Sequence, residues 1–381
     1  MKTAFFLALA LPNLCLAAQE ISITASNRLG SGRLNETIEV SAADFRALGQ
    51  PDLRKIHVKN PSGQEVLCQA VDTDYDELHT PDIIVFQSDF APGESKQFKL
   101  SAGSRQEYTK NDFKAFGRFV RERFDDFAWE NDRIAHRIYG KALETWKGEP
   151  LTSSAIDIWS KRVSSLVIND WYLVDNYHVD TGEGCDDYSA GKSRGCGGTG
   201  LWASNRLWVS RNFVDCRVLA NGPIRVLFEL DYEPFDVNGM QVSEKKRVTL
   251  DTGSQLDHFE STYSGANGPL SPAIGFKKVS GNQKEFSAAR GWLVIWEPME
   301  KNLGMQGLAA IASPESVEAL TQDSLNHLLV MKSSANGKLD YWAGFAWDRA
   351  GVVTNAAAWK HYVDNFSEQL ASPLVITISG K

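Results

Sequence analysis

The chain has 381 residues, 43% of them hydrophobic, a formal net charge of −8 and a pI near 5.5. That length suffices for a large core, and an acidic chain without any Lys/Arg-rich block is a poor partner for nucleic acid or anionic membranes. Beyond the N-terminus no stretch approaches the ~20 apolar residues of a spanning helix, which argues against membrane insertion.

Residues 1–18 carry one lysine, an apolar run over 4–10 broken by Pro12 and Asn13, and small residues at Ala17 and Ala18. This is the pattern of a secretory signal peptide, so a secreted or periplasmic protein of residues 19–381 is expected. Over 19–101 short alternating runs such as Ile21-Ser-Ile-Thr-Ala25 are separated by Gly, Pro, Asp and Asn, the punctuation of strands and turns. Residues 41–48 suit a short helix, with Ser41 as its cap and Asp44 in the first turn. The charged, mixed segment 102–126 reads as a linker or surface helix leading to a main part, 127–381, of the same single domain.

Strands are expected over 133–139, 156–167, 207–213, 224–232, 244–250, 258–263, 292–296 and 374–378, which are rich in β-branched and aromatic residues. Helical spacing is confined to part of 314–331 and to 356–370, where Trp359, Tyr362, Val363 and Phe366 recur. Many strands and few short helices give a mainly β fold, two large antiparallel sheets packed face to face. With eleven tryptophans, some rings fill the core and others are available to line a sugar-binding groove.

After the leader, Cys68, Cys185, Cys196 and Cys216 remain. Export permits a disulfide, and Cys185 with Cys196 would staple a polar loop; four buried free thiols are the alternative.

That loop lies within 171–202, which holds Asp175, Asp180, Glu183, Asp186 and Asp187 before Lys192, Arg194 and a glycine-rich run. If residues 177–180 are extended, His178 and Asp180 project to one face, while Gly182 and Gly184 let the backbone turn and present Glu183 outward. Three chemistries compete. Two carboxyl groups about 5 to 10 Å apart serve a glycoside hydrolase, for which Asp180, Glu183 and Asp187 are candidates. A His and a carboxylate flanking a pyranose oxygen serve a mutarotase or epimerase. A Tyr or His base with a cation on the sugar carboxylate serves a uronate lyase, for which His178, Tyr188, Lys192 and Arg194 are candidates. Alternatively Asp180, Glu183 and Asp187 hold calcium or another divalent cation in a non-catalytic carbohydrate-binding protein.

A second polar knot spans 129–139. On a strand, His136 and Ile134 share one face, and Arg133, Arg137 and Tyr139 the other. Guanidinium groups clasp carboxylates bidentately, which suits a uronic acid. Trp159, in Asp157-Ile-Trp-Ser-Lys-Arg162, is a further substrate-binding candidate.

The strings Trp129-Glu-Asn-Asp-Arg133, Asp157-Ile-Trp159, Tyr177-His-Val-Asp-Thr-Gly-Glu-Gly184, Arg194-Gly-Cys-Gly-Gly198 and Ala220-Asn-Gly-Pro-Ile-Arg225 resemble those of the bacterial domain-of-unknown-function family 4861. The resemblance implies an exported protein from gene sets that break down uronic-acid-containing polysaccharides, and a supersandwich like that of galactose mutarotases. It supplies no catalytic residues. The expected function is therefore lyase or hydrolase action on uronate-bearing oligosaccharides, with His178, Asp180, Glu183 and Tyr188 as candidate catalytic groups. Arg133, His136, Arg137, Tyr139, Trp159, Lys192 and Arg194 are the expected substrate-binding groups.

Overall fold

A computed structural model describes residues 20–379, except 50, 77, 149–150 and 336. The expected leader, 1–18, lies outside the described residues. The fold is mainly β and its sheets are antiparallel.

Residues 20–102 build a small sandwich of their own. Strand Glu20–Ser26 sits between Ser95–Ala102 and the C-terminal strand Val375–Ser379, in a five-stranded sheet. A three-stranded sheet of Arg33–Ser41, Cys68–Val71 and Ile83–Phe90 covers it. Alternation along the strands sends Ile21, Ile23, Phe86, Phe98 and Leu100 into one buried cluster. Between them Ala42–Leu48 forms a 3-10 helix capped by the Ser41 side chain.

The main part is a larger sandwich. Nine strands, running from Phe213–Asn221 at one edge to Gln283–Ser287 at the other, form one layer. Opposite lie two five-stranded sheets, one containing Asp126–Asn131, Ala135–Ile138 and Ile156–Lys161, the other Cys196–Ala203, Pro272–Lys277 and Asn326–Met331. A bridge between Ile156 and Gly195 joins them. Phe127, Ile158, Phe228, Phe259, Ile274 and Tyr341 share the core between the layers. Val71 and Val85 pack on Ala220, Ile224 and Leu227, tying the small sandwich to the large one.

Two α-helices occur among the described residues, α1 (Ile168–Val174) and α2 (Ala356–Ala371). The second is capped by Asn355 and lays Trp359 and Val363 against the outer face of the nine-stranded sheet. Gly307 makes room for it, since a Cβ there would stand 2.5 Å from the Trp359 ring. Among the described residues no helix is long and apolar enough to cross a membrane.

Several expected elements are different. Within 102–126 the chain forms strand Ala115–Val120 at a sheet edge, with Ala115 and Phe119 turned to the main core and Phe116 and Val120 to a separate cluster on the other face. Residues 314–331 make a hairpin, Val317–Gln322 with Asn326–Met331, rather than a helix, and Asp323 accepts the N–H groups of Leu325 and Asn326 in the turn. The strand expected over 156–167 stops at Lys161, and α1 follows. That over 207–213 divides into Arg206–Trp208 and Phe213–Asn221.

Candidate functional site

The acidic loop is not extended. Helix α1 ends at Asp175, whose φ of 55° is left-handed, and residues 176–183 turn back on themselves. His178 and Asp180 consequently do not share a face. His178 turns Nδ1 toward the Asp186 carbonyl oxygen at 3.1 Å, whereas Asp180 pairs with Arg162. Glu183 accepts from the Trp171 indole at 3.1 Å, and Asp187 pairs with Lys301 at 2.7 Å. The three expected cation ligands Asp180, Glu183 and Asp187 therefore each have a partner of their own. Among the described residues, the group of acids close enough to share a cation is Asp72, Asp74 and Asp82, with oxygens within 4.8 Å of one another. Lys192 is exposed.

Beneath the loop lies a buried ionic cluster. Arg137 donates from Nε to Asp157 at 2.9 Å and from a terminal nitrogen to Asp186 at 2.8 Å, with Asp126 3.9 Å away. Tyr139 donates to Asp157 at 2.7 Å and Tyr172 to Asp126 at 3.3 Å. Burial pushes the Asp126 carboxyl up to about 7 and raises that of Asp186 strongly, against the opposing pull of Arg137. Arg137 is 4% exposed and already bonded to Asp157 and Asp186, so it is committed to this cluster rather than offered to solvent.

The other inward candidates are equally occupied. His136 places Nδ1 2.9 Å from the Asp157 carbonyl oxygen and Nε2 3.1 Å from Asp257, which also accepts from Trp129. Trp159 is fully buried among Trp171, Tyr172 and Tyr177, so it is a core ring rather than a sugar platform. Arg194 donates to Ser153, Ser154 and the Thr199 carbonyl oxygen, and burial pulls its pKa down to about 10. Tyr188 belongs to the main core, and burial raises its hydroxyl well above the usual range. Cys185 and Cys196 are buried free thiols, not a bridge.

Arg133 departs from the expected strand face, since the strand begins at Ala135. Its side chain, a third exposed, makes a long 3.5 Å ion pair to Asp132 and lines a groove of about 530 Å³. That size suits a small organic ligand or a few sugar rings. The groove runs between the small sandwich, the outer face of the nine-stranded sheet and α2. Trp342 and His258 stack along it with centroids 4.4 Å apart, and Tyr362 and Phe366 add aromatic surface. Arg225 clasps Asp251 through two bonds of 2.6 and 2.7 Å and reaches Glu39 at 2.6 Å. Glu36 accepts from Arg33 at 2.8 Å, yet its carboxyl is raised, because desolvation outweighs the arginine. Glu36, His258, Trp342 and Tyr362 of this groove are not among the candidates named from the sequence.

Residues 25–376 match the family model described as a domain of unknown function, DUF4861. Over 374 residues the chain is 32% identical to uncharacterized protein P7 of Formosa agariphila, covering 93% of each. Among solved structures it is similar to an alpha-mannosidase from Enterococcus faecalis V583, with TM-score 0.51, 11% identity and coverage of 97% of this chain and 46% of that one. A protein in the glycosyl hydrolase family 38 from Enterococcus faecalis gives TM-score 0.56 at 11% identity, over 96% and 48% of the respective chains. At that identity the likeness is one of fold, and the chain spans about half the length of these two structures. The family match and the full-length relative together place this chain in the DUF4861 family.

Proposed function

We propose that the protein is exported and handles carbohydrate, taking an oligosaccharide into the groove along Trp342. The observation that carries this reading is the Trp342–His258 stack inside a 530 Å³ groove bordered by arginines and carboxylates. Sugar rings offer apolar C–H faces to aromatic planes and hydroxyl edges to ionic groups, which is the mix found here. The sandwich neighbours, titled as a mannosidase and a family 38 glycosyl hydrolase, support the same class.

Within that reading the substrate carries a uronate, whose carboxylate meets Arg133. Glu36 is the group suited to proton donation, since burial favours its neutral form. This favours hydrolysis over elimination. Incubation with a panel of neutral and uronate-bearing polysaccharides tests it, by following reducing ends and ultraviolet absorbance together. Reducing ends without new absorbance are expected; absorbance from an unsaturated product means a lyase. Tight binding without either product means a non-catalytic binding protein.

A further inference from the structure

Arg33 and Glu36 lie three residues apart on the strand Arg33–Ser41, a spacing that on a regular strand sends two side chains to opposite faces. The register shifts between them, and Asn35 takes a left-handed φ of 50°. That bulge lets the two side chains meet, and a terminal nitrogen of Arg33 donates to Glu36 Oε1 at 2.8 Å. Asp89 holds the bulge by accepting the Asn35 N–H at 2.8 Å.

Arg33 is 1% exposed, and its remaining bonds reach two further segments. Its Nε donates to Asn27 Oδ1 at 3.0 Å, and its second terminal nitrogen donates to the carbonyl oxygen of Ser372, which caps the C-terminus of α2. Asn27 is itself fixed, because its amide donates to the carbonyl oxygens of Ser31 and Ala91 at 2.8 and 3.0 Å. One enclosed cation therefore joins the groove carboxylate to the end of the helix that brings Tyr362 and Phe366 to the groove. Other charged groups of the groove are engaged elsewhere: Glu39 and Asp251 with Arg225, Arg133 with Asp132, and His258 with Asp340. From α2 the titratable lining group is Tyr362, whose hydroxyl accepts the Gln255 N–H. Among the described residues, Arg33 is accordingly the cation paired with Glu36.

We propose that Arg33 is the positioning residue for Glu36, holding Oε1 so that the transferable proton rides on Oε2, and bracing α2 against the strand that carries the acid. This rests on the reading of Glu36 as proton donor. An oxygen that already accepts from a guanidinium is the poorer place for a proton, since the N–H and O–H dipoles would oppose each other. With Glu36 neutral, Arg33 still donates to three oxygens, so proton transfer does not release it. Its charge also restrains the rise that burial imposes on the Glu36 carboxyl.

The test compares wild type with Arg33→Gln and Arg33→Lys in the full chain. Glu36 is titrated by carboxyl 13C NMR, its signal identified by its loss in Glu36→Gln, and turnover is followed on the uronate-bearing members of the polysaccharide panel. Losing the charge in Arg33→Gln should move the Glu36 midpoint up and carry the alkaline limb of kcat with it. Arg33→Lys keeps the charge but not the three-way fork. Its midpoint should stay near that of wild type while kcat falls about tenfold to a hundredfold at little-changed KM. Hydrogen exchange should quicken at the C-terminal end of α2 in both variants. A midpoint that does not move in Arg33→Gln overturns the proposal; should that variant not fold, a wild-type kcat in Arg33→Lys overturns it. Full turnover by Glu36→Gln would instead overturn the reading of Glu36 as the acid, whatever the Arg33 variants do, and the proposal with it.

Discussion

The imidazole of His258 lies flat on the indole of Trp342, with centroids 4.4 Å apart and planes 13° from parallel, while its Nε2 meets Asp340 Oδ1 at 3.0 Å. The two residues face each other across adjacent strands, in register. Asp340 is largely exposed, so its ion pair contributes at most about 1 kcal/mol and serves mainly to orient the ring. His258→Ala is expected to leave Tm within a few degrees and to weaken oligosaccharide binding severalfold, read by calorimetry. An unchanged affinity would show that the stacked ring is not part of the binding floor.

Glu36→Gln keeps the bond from Arg33 possible in shape but removes the transferable proton. If Glu36 is the acid, kcat should fall by roughly 10²–10⁴ while KM changes little. A compensating rise in KM at constant kcat would instead make Glu36 a binding group. In the wild type, activity should decline on the alkaline side as this raised carboxyl ionises.

Asp126 offers a pH prediction for stability. Its carboxyl titrates near 7 in the folded protein, above its unfolded value of 3.8, so the folded state binds more protons between those limits. Stability from this group is complete below about 4 and is lost as pH rises through 7. Asp126→Asn should therefore flatten the fall of Tm between pH 5 and 8 and melt higher than wild type at pH 8. Parallel Tm curves for the two proteins would contradict the assignment.

Much of this architecture was readable from the residues. Alternation and β-branched content located strands such as Arg225–Tyr232, Leu256–Ser264 and Trp292–Pro298 but not Cys196–Ala203, Pro272–Lys277, Met305–Ala312 or Lys338–Trp347, and the spacing of Trp359, Val363 and Phe366 located α2, which buries one face. Residues 314–331 misled because Leu320, Leu328 and Leu329 suit a helix as well as a strand, and only pairing with Pro272–Lys277 decides the outcome. Helix α1 was hidden because its start is stabilised by distant Glu130 rather than a local cap. The acidic loop was conspicuous, but much of its charge serves neighbours: Asp186 holds Arg137, and Asp180 holds Arg162. The groove was invisible because it gathers Glu36, Arg133, Asp251, Trp342 and Tyr362 from remote segments by topology alone. Of the expected substrate-binding residues, Arg133 lines it.

Glu130 accepts the N–H groups of Val167 and Ile168 and pairs with Lys161 at 2.7 Å, all three groups fully enclosed or nearly so. Removing one partner strands a buried charge, so Lys161→Ala should cost about 3–5 kcal/mol in denaturant unfolding. Hydrogen exchange should rise first in α1 and the loop that follows it. A loss below about 1 kcal/mol would mean that water replaces the ammonium.

Trp342 is the floor of the proposed carbohydrate groove. Calorimetric titration of wild type and Trp342→Ala with the same oligosaccharide panel tests it. At least one glycan should bind the wild type saturably, and the variant should bind it more weakly by about 2 kcal/mol, roughly thirtyfold, at nearly unchanged Tm. Equal affinity in the two proteins, or no binding by the wild type to any member of the panel, would contradict it.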